Sequence, residues 1–308
     1  MKTAVGVVGV GRMGVNHARV LAARDDVELH VYDVCGANAD AVSRTLDART
    51  HASLESLLDH VEAVIVATPP ADHARVVRAG LDARRAVLCE KPLATNLREA
   101  ADLCRRAGGR LMPGHVERFN PVVRGLRRLL ARHPIEAITA SRLGMASPRH
   151  AGVDVLMDLG VHDLDLVSYL GRSAIVSVAS VLAGAQTALV VVRLASGVVA
   201  RVEVTWNSPR KVREFRAWGN GALFQADLID GEIQRFTRGL DGDVRGVARR
   251  IPVVAGEALE AQLDAFLKAL RAGAPMPVAA EVGLEAVRWA TLAREGAPGD
   301  ALMAAVAG

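Results

Sequence analysis

The six residues Gly9-Val10-Gly11-Arg12-Met13-Gly14 stand between an apolar run of strand length, Thr3 to Val8, and a helical pattern that continues through Leu21. Strand, G-x-G-x-x-G and helix in that order is the context of a dinucleotide-binding turn. The first glycine makes the tight turn, the second lets a pyrophosphate approach the backbone, and the third lets helix pack on strand. The start of the helix, at Arg12 and Met13, then faces the phosphates. About twenty residues further on, a second apolar run, Val27 to Tyr32, ends in Asp33, where an acid accepts hydrogen bonds from both ribose hydroxyls of the adenosine and repels a 2′-phosphate. The expected cofactor is NAD in preference to NADP; the blander role for Asp33 is an ordinary turn acid.

Alternation of strand and helix continues. Ser53 to Leu58 reads as a short helix, Ala63 to Ala67 as a buried strand, Asp72 to Leu81 as a helix, Ala86 to Cys89 as a strand, Asn96 to Ala107 as a helix and Leu111 to Pro113 as a strand. The pattern predicts a Rossmann domain over residues 1–118, with a parallel sheet of about six strands. Cofactors sit at the carboxyl ends of such strands. There this chain has Thr68-Pro69-Pro70 and Glu90-Lys91-Pro92. Pro92 restricts Lys91 to extended geometry, so the lysine should project from the crevice mouth. Lysine occurs only at positions 2, 91, 211 and 268, so 34 of the 38 basic residues are arginine, and a site that needs charge alone would be arginine in this chain. A partly buried lysine can release its proton, which arginine cannot.

Residues 119–308 follow another pattern. A helix over 122–131, a strand from Ile135 to Leu143 and a loop from Gly144 to Gly152 lead into a helix from Val155 to Leu170. From Ile175 to Phe236, alternating or apolar strands succeed one another with glycine-containing turns and no room for helices. They predict an α/β domain with a large open, mainly antiparallel sheet. One or two helices cannot cover both of its faces, so a homodimer or homotetramer through the bare face is expected. Helices at Glu257 to Ala272 and Val282 to Glu295 close the fold, and Gly296 to Gly308 reads as a mobile tail.

The helix from Val155 to Leu170 is apolar nearly all round except for one stripe. Asp158, His162, Asp165 and Tyr169 recur at i, i+4, i+7 and i+11 and so share a face. The bland explanation is a core helix whose acids and histidine satisfy one another. A sharper one is catalytic: a carboxylate one turn from an imidazole orients the ring and suits it as a general base near neutral pH. A metal site is less apt, since a redox-inactive metal would not account for the dinucleotide turn.

Several classes are excluded or disfavoured. With 308 residues, 51% of them hydrophobic, the chain can bury two cores, yet no apolar run approaches the roughly 20 residues that span a bilayer and the start lacks a secretory pattern. A cytoplasmic protein is expected, without membrane contact. Cys35, Cys89 and Cys104 lack metal or disulfide spacing and are expected to be buried thiols. Aromatics make up 3% and net charge is only +4, which argues against nucleic acid as a partner. The densest basic run, Arg124 to His133, sets Arg124, Arg128 and Arg132 on one helical face, which reads as solvated.

Gly9-Val10-Gly11-Arg12-Met13-Gly14, Ala67-Thr68-Pro69 with His73, Glu90-Lys91-Pro92 and Asp158-x-x-x-His162, in this order and before a long antiparallel sheet, resemble the glucose-fructose oxidoreductase and inositol dehydrogenase family over nearly the whole chain. The resemblance implies nicotinamide-linked oxidation of a sugar or polyol hydroxyl, with Lys91, Asp158 and His162 at the reacting centre and Gly9, Gly11, Arg12, Met13, Gly14, Asp33, Thr68, Pro69, His73, Glu90 and Lys91 around the cofactor. Gly114 to Pro121 and Asp158 to Asp165 are similar to a narrower branch acting at C3 of UDP-N-acetylglucosamine or its uronic acid. Glu117, Arg118, Asn120, Arg149 and His150 are expected to join Asp158 and His162 in binding a sugar or UDP-sugar, with Arg118, Arg149 and His150 as candidates for its diphosphate or carboxylate; the blander role for each of these three is a surface ion pair. Met145 to His150 follows the branch loosely and leaves the sugar open. A dehydrogenase of a free sugar or inositol, and a non-catalytic regulator that senses NAD or sugar, are the alternatives; the presence of both Lys91 and His162 speaks against the regulator.

Overall fold

A computed structural model of the protein describes residues 2–146, 154–237 and 247–296. Contacts divide the chain into two compact units, Met1–Val116 with Leu259–Val287, and Glu117–Ala258 with Arg288–Gly308. The helix Ala258–Ala272 falls almost wholly in the first unit, because Arg271 donates to Thr3 Oγ1 and to Asp26, and Asp264 pairs with Arg24.

In the first unit, strands β1 (Thr3–Val8), β2 (Val27–Tyr32), β3 (Arg49–Thr50), β4 (Ala63–Val66), β5 (Ala86–Glu90) and β6 (Leu111–Gly114) form a six-stranded sheet in the order β3-β2-β1-β4-β5-β6. All neighbours are parallel. Val5, Val7, Val64, Ile65, Val87 and Leu88 have no exposed surface, as expected of strands covered on both faces. Helices α1 (Arg12–Ala22), α2 (Gly36–Leu46), α3 (Leu54–His60), α4 (Pro70–Asp82) and α5 (Leu97–Ala107) make the connections. Strand order reverses between β1 and β4. The carboxyl ends of those two strands therefore define the crevice where such sheets bind ligands.

The second unit is built on an eight-stranded sheet. After α6 (Pro121–Leu130) come β7 (Ala137–Met145), α7 (Val161–Gly171), β8 (Ile175–Ala183), β9 (Thr187–Leu194), β10 (Val199–Thr205), β11 (Asn207–Gly219), β12 (Ala222–Asp227), β13 (Glu232–Thr237) and β14 (Val247–Ile251), in the order β14-β13-β12-β11-β7-β10-β9-β8. β7 is inserted between β10, to which it is parallel, and β11, to which it is antiparallel; every other pairing is antiparallel. On β9, Ala188, Val190, Val192 and Leu194 are buried while Leu189 and Val191 are 45% and 44% exposed, so one face is core and the other is open. Helices α6 and α7 pack on the sheet, and Val181, Val199 and Trp218 add to its exposed apolar residues.

The last two helices are α8 (Ala258–Ala272) and α9 (Ala280–Glu295). The tail expected from Gly296 lies, beyond that residue, outside the described part. Among the described residues no helix is long and apolar enough to cross a membrane. Cys89 is buried as expected and Cys104 is half-buried, but Cys35 is exposed, because it stands at the start of α2 with its backbone N–H turned to Asp33.

Candidate active site

At the glycine turn each predicted glycine has a separate duty. Gly9 adopts φ +84, and a Cβ there would meet the backbone of Ala67 and Thr68 at 2.8–2.9 Å, so the turn rests directly on the end of β4. A Cβ on Gly14 would stand 1.8 Å from the carbonyl oxygen of Gly9. Only glycine lets α1 approach so closely. Nothing lies within 4 Å of a Cβ built on Gly11, so the approach to the helix N-terminus is open there. Arg12 and Met13, in the first turn of α1, are exposed beside it.

Asp33 braces this turn. Its Oδ2 accepts from Val10 N–H at 2.8 Å and its Oδ1 from Cys35 N–H at 2.9 Å. At the end of β4, Thr68 Oγ1 is buried without a hydrogen-bond partner among the described residues. Pro69 caps α4, with Pro70 at its first turn. An open phosphate approach, an acid beside it and an orphaned buried hydroxyl are the features a dinucleotide would satisfy, so the residues fit NAD.

Two buried histidines fasten the neighbouring loops. His73, on α4, contacts Thr68 O at 2.9 Å through Nε2 and Pro92 O at 2.8 Å through Nδ1, joining the segments that follow β4 and β5. Burial lowers its pKa, against the two carbonyls, which favour a proton. His17, fully buried on α1, lies with Nε2 2.7 Å from Glu90 Oε1. The other Glu90 oxygen accepts from Lys91 N–H at 3.3 Å. Burial pushes the Glu90 carboxyl up, but the hydrogen bond and charge of His17, followed by Lys91 and His73, outweigh it and hold the pKa below its ordinary value. Glu90 is therefore an anion locked between α1 and the half-buried Lys91, and the Lys91–Pro92 peptide is cis.

In the second unit the helix expected from Val155 to Leu170 is not uniform. Leu156–Gly160 is a π-helical turn, and α7 follows it. Such wide turns recur at functional sites. From Val155 to Val167 every residue is buried except Asp158 and His162. Asp158 Oδ2 accepts from Trp206 Nε1 at 3.2 Å. The expected stripe thus divides. Asp165 turns inward, accepting from Arg118 Nη2 at 2.6 Å and Nε at 2.9 Å, and the Tyr169 ring lies under the guanidiniums of Arg118, at 4.7 Å, and Arg127, at 4.0 Å.

Beneath Asp158 and His162 lies a buried ion-pair network. Arg142 Nε reaches Asp163 Oδ2 at 2.8 Å and Arg142 Nη1 reaches Glu117 Oε1 at 3.0 Å, with Arg142 and Asp163 4% and 1% exposed. Burial pushes Asp163 up in pKa against the attraction of Arg142. Arg213 is held down to about 10, by burial first and then by the charge of Arg142, while Asp163, Glu117 and Asp158 oppose the shift. Of the expected sugar-binding residues, Glu117 and Arg118 are engaged in these contacts and Asn120 caps α6 through Val122 N–H. Arg149 and His150 lie outside the described residues.

Residues 3–115 match the oxidoreductase family with an NAD-binding Rossmann fold, and residues 134–224 match the GFO/IDH/MocA C-terminal domain. UDP-N-acetylglucosamine 3-dehydrogenase of Acidithiobacillus ferrooxidans is 31% identical over 283 residues, which cover 88% of this chain and 90% of that protein. The chain belongs to the GFO/IDH/MocA oxidoreductase family. It is an NAD-binding oxidoreductase. A solved structure of the same A. ferrooxidans protein superposes with a TM-score of 0.87 at 28% identity, covering 96% of this chain and 97% of that one. Inositol 2-dehydrogenase of Acidothermus cellulolyticus is 34% identical over 66% of each chain. GenD2 from gentamicin A biosynthesis, solved in complex with NAD, gives a TM-score of 0.81 at 25% identity over 96% of this chain and 93% of that one.

Within this GFO/IDH/MocA chain, four residues escaped the sequence reading. Arg142 on β7, Arg213 on β11 and Trp206 between β10 and β11 are far from Asp158 in sequence, and only pairing of β7 with β10 and β11 brings them near it. His17 did leave a signal. It follows Gly14 by three residues on the same helix, and a histidine on the inner face of an apolar helix needs a polar partner.

Proposed function

We propose that the protein oxidises a secondary ring hydroxyl of a sugar, at C3 of a UDP-N-acetylglucosamine-type nucleotide sugar, with residues 1–118 serving the cofactor and residues 119–308 the substrate and subunit association. The observation that carries the reading is the pair Asp158 and His162, the two partly exposed residues in the otherwise buried stretch from Val155 to Val167. A histidine so placed takes the hydroxyl proton. Asp158, fixed by Trp206, orients it and balances the charge it gains. Lys91, whose backbone is anchored by Glu90, holds the developing alkoxide through a charge-assisted hydrogen bond. NAD, when bound, supplies the hydride acceptor. The A. ferrooxidans relative, aligned over nine-tenths of its length, supports the nucleotide sugar. The inositol dehydrogenase relative keeps free inositol as the second reading. We further propose association into a homodimer or homotetramer through the exposed apolar face carrying Leu189 and Val191.

Protein incubated with NAD and either UDP-N-acetylglucosamine or myo-inositol, with an oxo acid added to recycle retained NADH, tests the substrate. Oxidised UDP-sugar detected by mass spectrometry is expected; turnover of inositol alone would transfer the assignment to the second reading. His162→Ala should slow the reaction about 10²- to 10⁴-fold and leave NAD affinity unchanged.

A further inference from the structure

The arginine face of α6, solvated by its pattern, borders a cleft of about 740 Å³ in the second unit. Arg124, Arg127, Arg128, Arg132, His133 and Arg172 line it, together with Tyr169 and an apolar rim at Ile251 and Pro252. No acidic residue is among its described lining. Arg124, Arg128, Arg132 and Arg172 have no ion pair with a described carboxylate, whereas other helical cations of the chain do: Arg75 with Asp72, Arg105 and Arg106 with Asp102, Lys268 with Asp264. Arg124 and Arg128 stand one turn apart, a like-charge spacing that is destabilising when nothing offsets it. Arg172 ends α7 at φ +53, where glycine is the usual residue, and it nonetheless carries a side chain to the cleft. Arg127 is already held, its Nε donating to Tyr169 O at 3.1 Å and its guanidinium lying over that ring.

We propose that this cleft binds the diphosphate group of a small organic anion. A concave wall of one sign concentrates the field on an anion, and guanidinium forks match phosphate oxygens in pairs. The volume is that of a ligand pocket and exceeds what a lone phosphate fills. Both faces of interest lie on one helix: Tyr169 follows His162 by seven residues, about 10 Å along the axis of α7. The diphosphate therefore belongs either to the nucleotide sugar being oxidised or to a second nucleotide bound beside it.

Titration calorimetry of the whole protein with inorganic pyrophosphate reads binding without turnover, so it fails or succeeds separately from the choice of sugar. One saturable site per chain is expected, weakened at least about tenfold in the double variant Arg128→Gln/Arg132→Gln and by less than about threefold in Arg44→Gln/Arg98→Gln, which removes the same charge elsewhere. No saturable binding, or equal loss in both variants, overturns the proposal. Repeating the titration in NAD and UDP-N-acetylglucosamine separates the two sources: competition identifies the substrate's own diphosphate, and unchanged pyrophosphate affinity identifies a second anion.

Discussion

Replacing His17 with alanine would expose how much of the loop carrying Lys91 depends on a contact from α1. The imidazole is fully buried and lies 2.7 Å from Glu90 Oε1. A hydrogen bond to a charged partner contributes about 1.5–3 kcal/mol, and its removal here also leaves a buried carboxylate oxygen unsatisfied, so the expected loss is about 2–5 kcal/mol. His17→Gln keeps an N–H within reach of the same oxygen and should recover most of it. The pH dependence distinguishes this from a packing defect. A carboxyl depressed in the folded state, as Glu90 is, contributes stability that is fully present above its unfolded pKa of about 4.3 and is lost as pH falls through the lower folded value. Without His17 the largest contribution opposing burial is gone and the folded pKa of Glu90 moves up. The variant then has less of this stability to lose on acidification, so in urea unfolding the gap between wild type and His17→Ala should close as pH falls through and below about 4.3. A gap that stays constant on that acidification would refute the account.

Gly14→Ala should lower NAD affinity at least about tenfold by calorimetry and reduce the melting temperature, since its Cβ would stand 1.8 Å from Gly9 O; Gly11→Ala should fold normally and lose only cofactor. Arg142→Met leaves Asp163 and Glu117 facing each other without their buried cation, and urea unfolding should show a loss of about 3–5 kcal/mol. Asp33→Ala should narrow the preference for NAD over NADP in titrations, because the carboxylate that repels a 2′-phosphate is gone. At micromolar concentration the protein should sediment as a dimer or larger, and a monomer would mean that the exposed face of β9 needs no partner.

The Rossmann sheet was legible because its signals are local. A glycine turn, buried β-branched runs and residues such as Asn96, whose side chain caps α5, act within a few positions of themselves. The element α2 was missed for the converse reason: in Gly36–Leu46 only Ala39 and Val42 are buried, too little to set a period, and β3 has two residues. In the second unit the sheet was legible from alternation, but the insertion of β7 beside β10 was not, since alternation fixes faces and says nothing of neighbours. In the central helix the spacing set Asp158, His162, Asp165 and Tyr169 on one face and did not divide them. Spacing cannot tell an acid met by Arg118 from one left partly exposed, and a π-helical turn has no sequence period of its own.

Because the NAD-binding unit draws Leu259–Val287 from beyond the long antiparallel sheet, it is assembled from two ends of the nascent polypeptide. Thr3 and Asp26 leave the ribosome early, while Arg271, which seals them, emerges only after all of β7 to β14. At ordinary elongation rates this interval is roughly 12–50 seconds. During it the start of β1 has no α8 to rest on, and the growing chain carries a nucleotide fold that this helix has yet to close. Premature stops after β14 would therefore damage the N-terminal unit first, although they remove none of its strands.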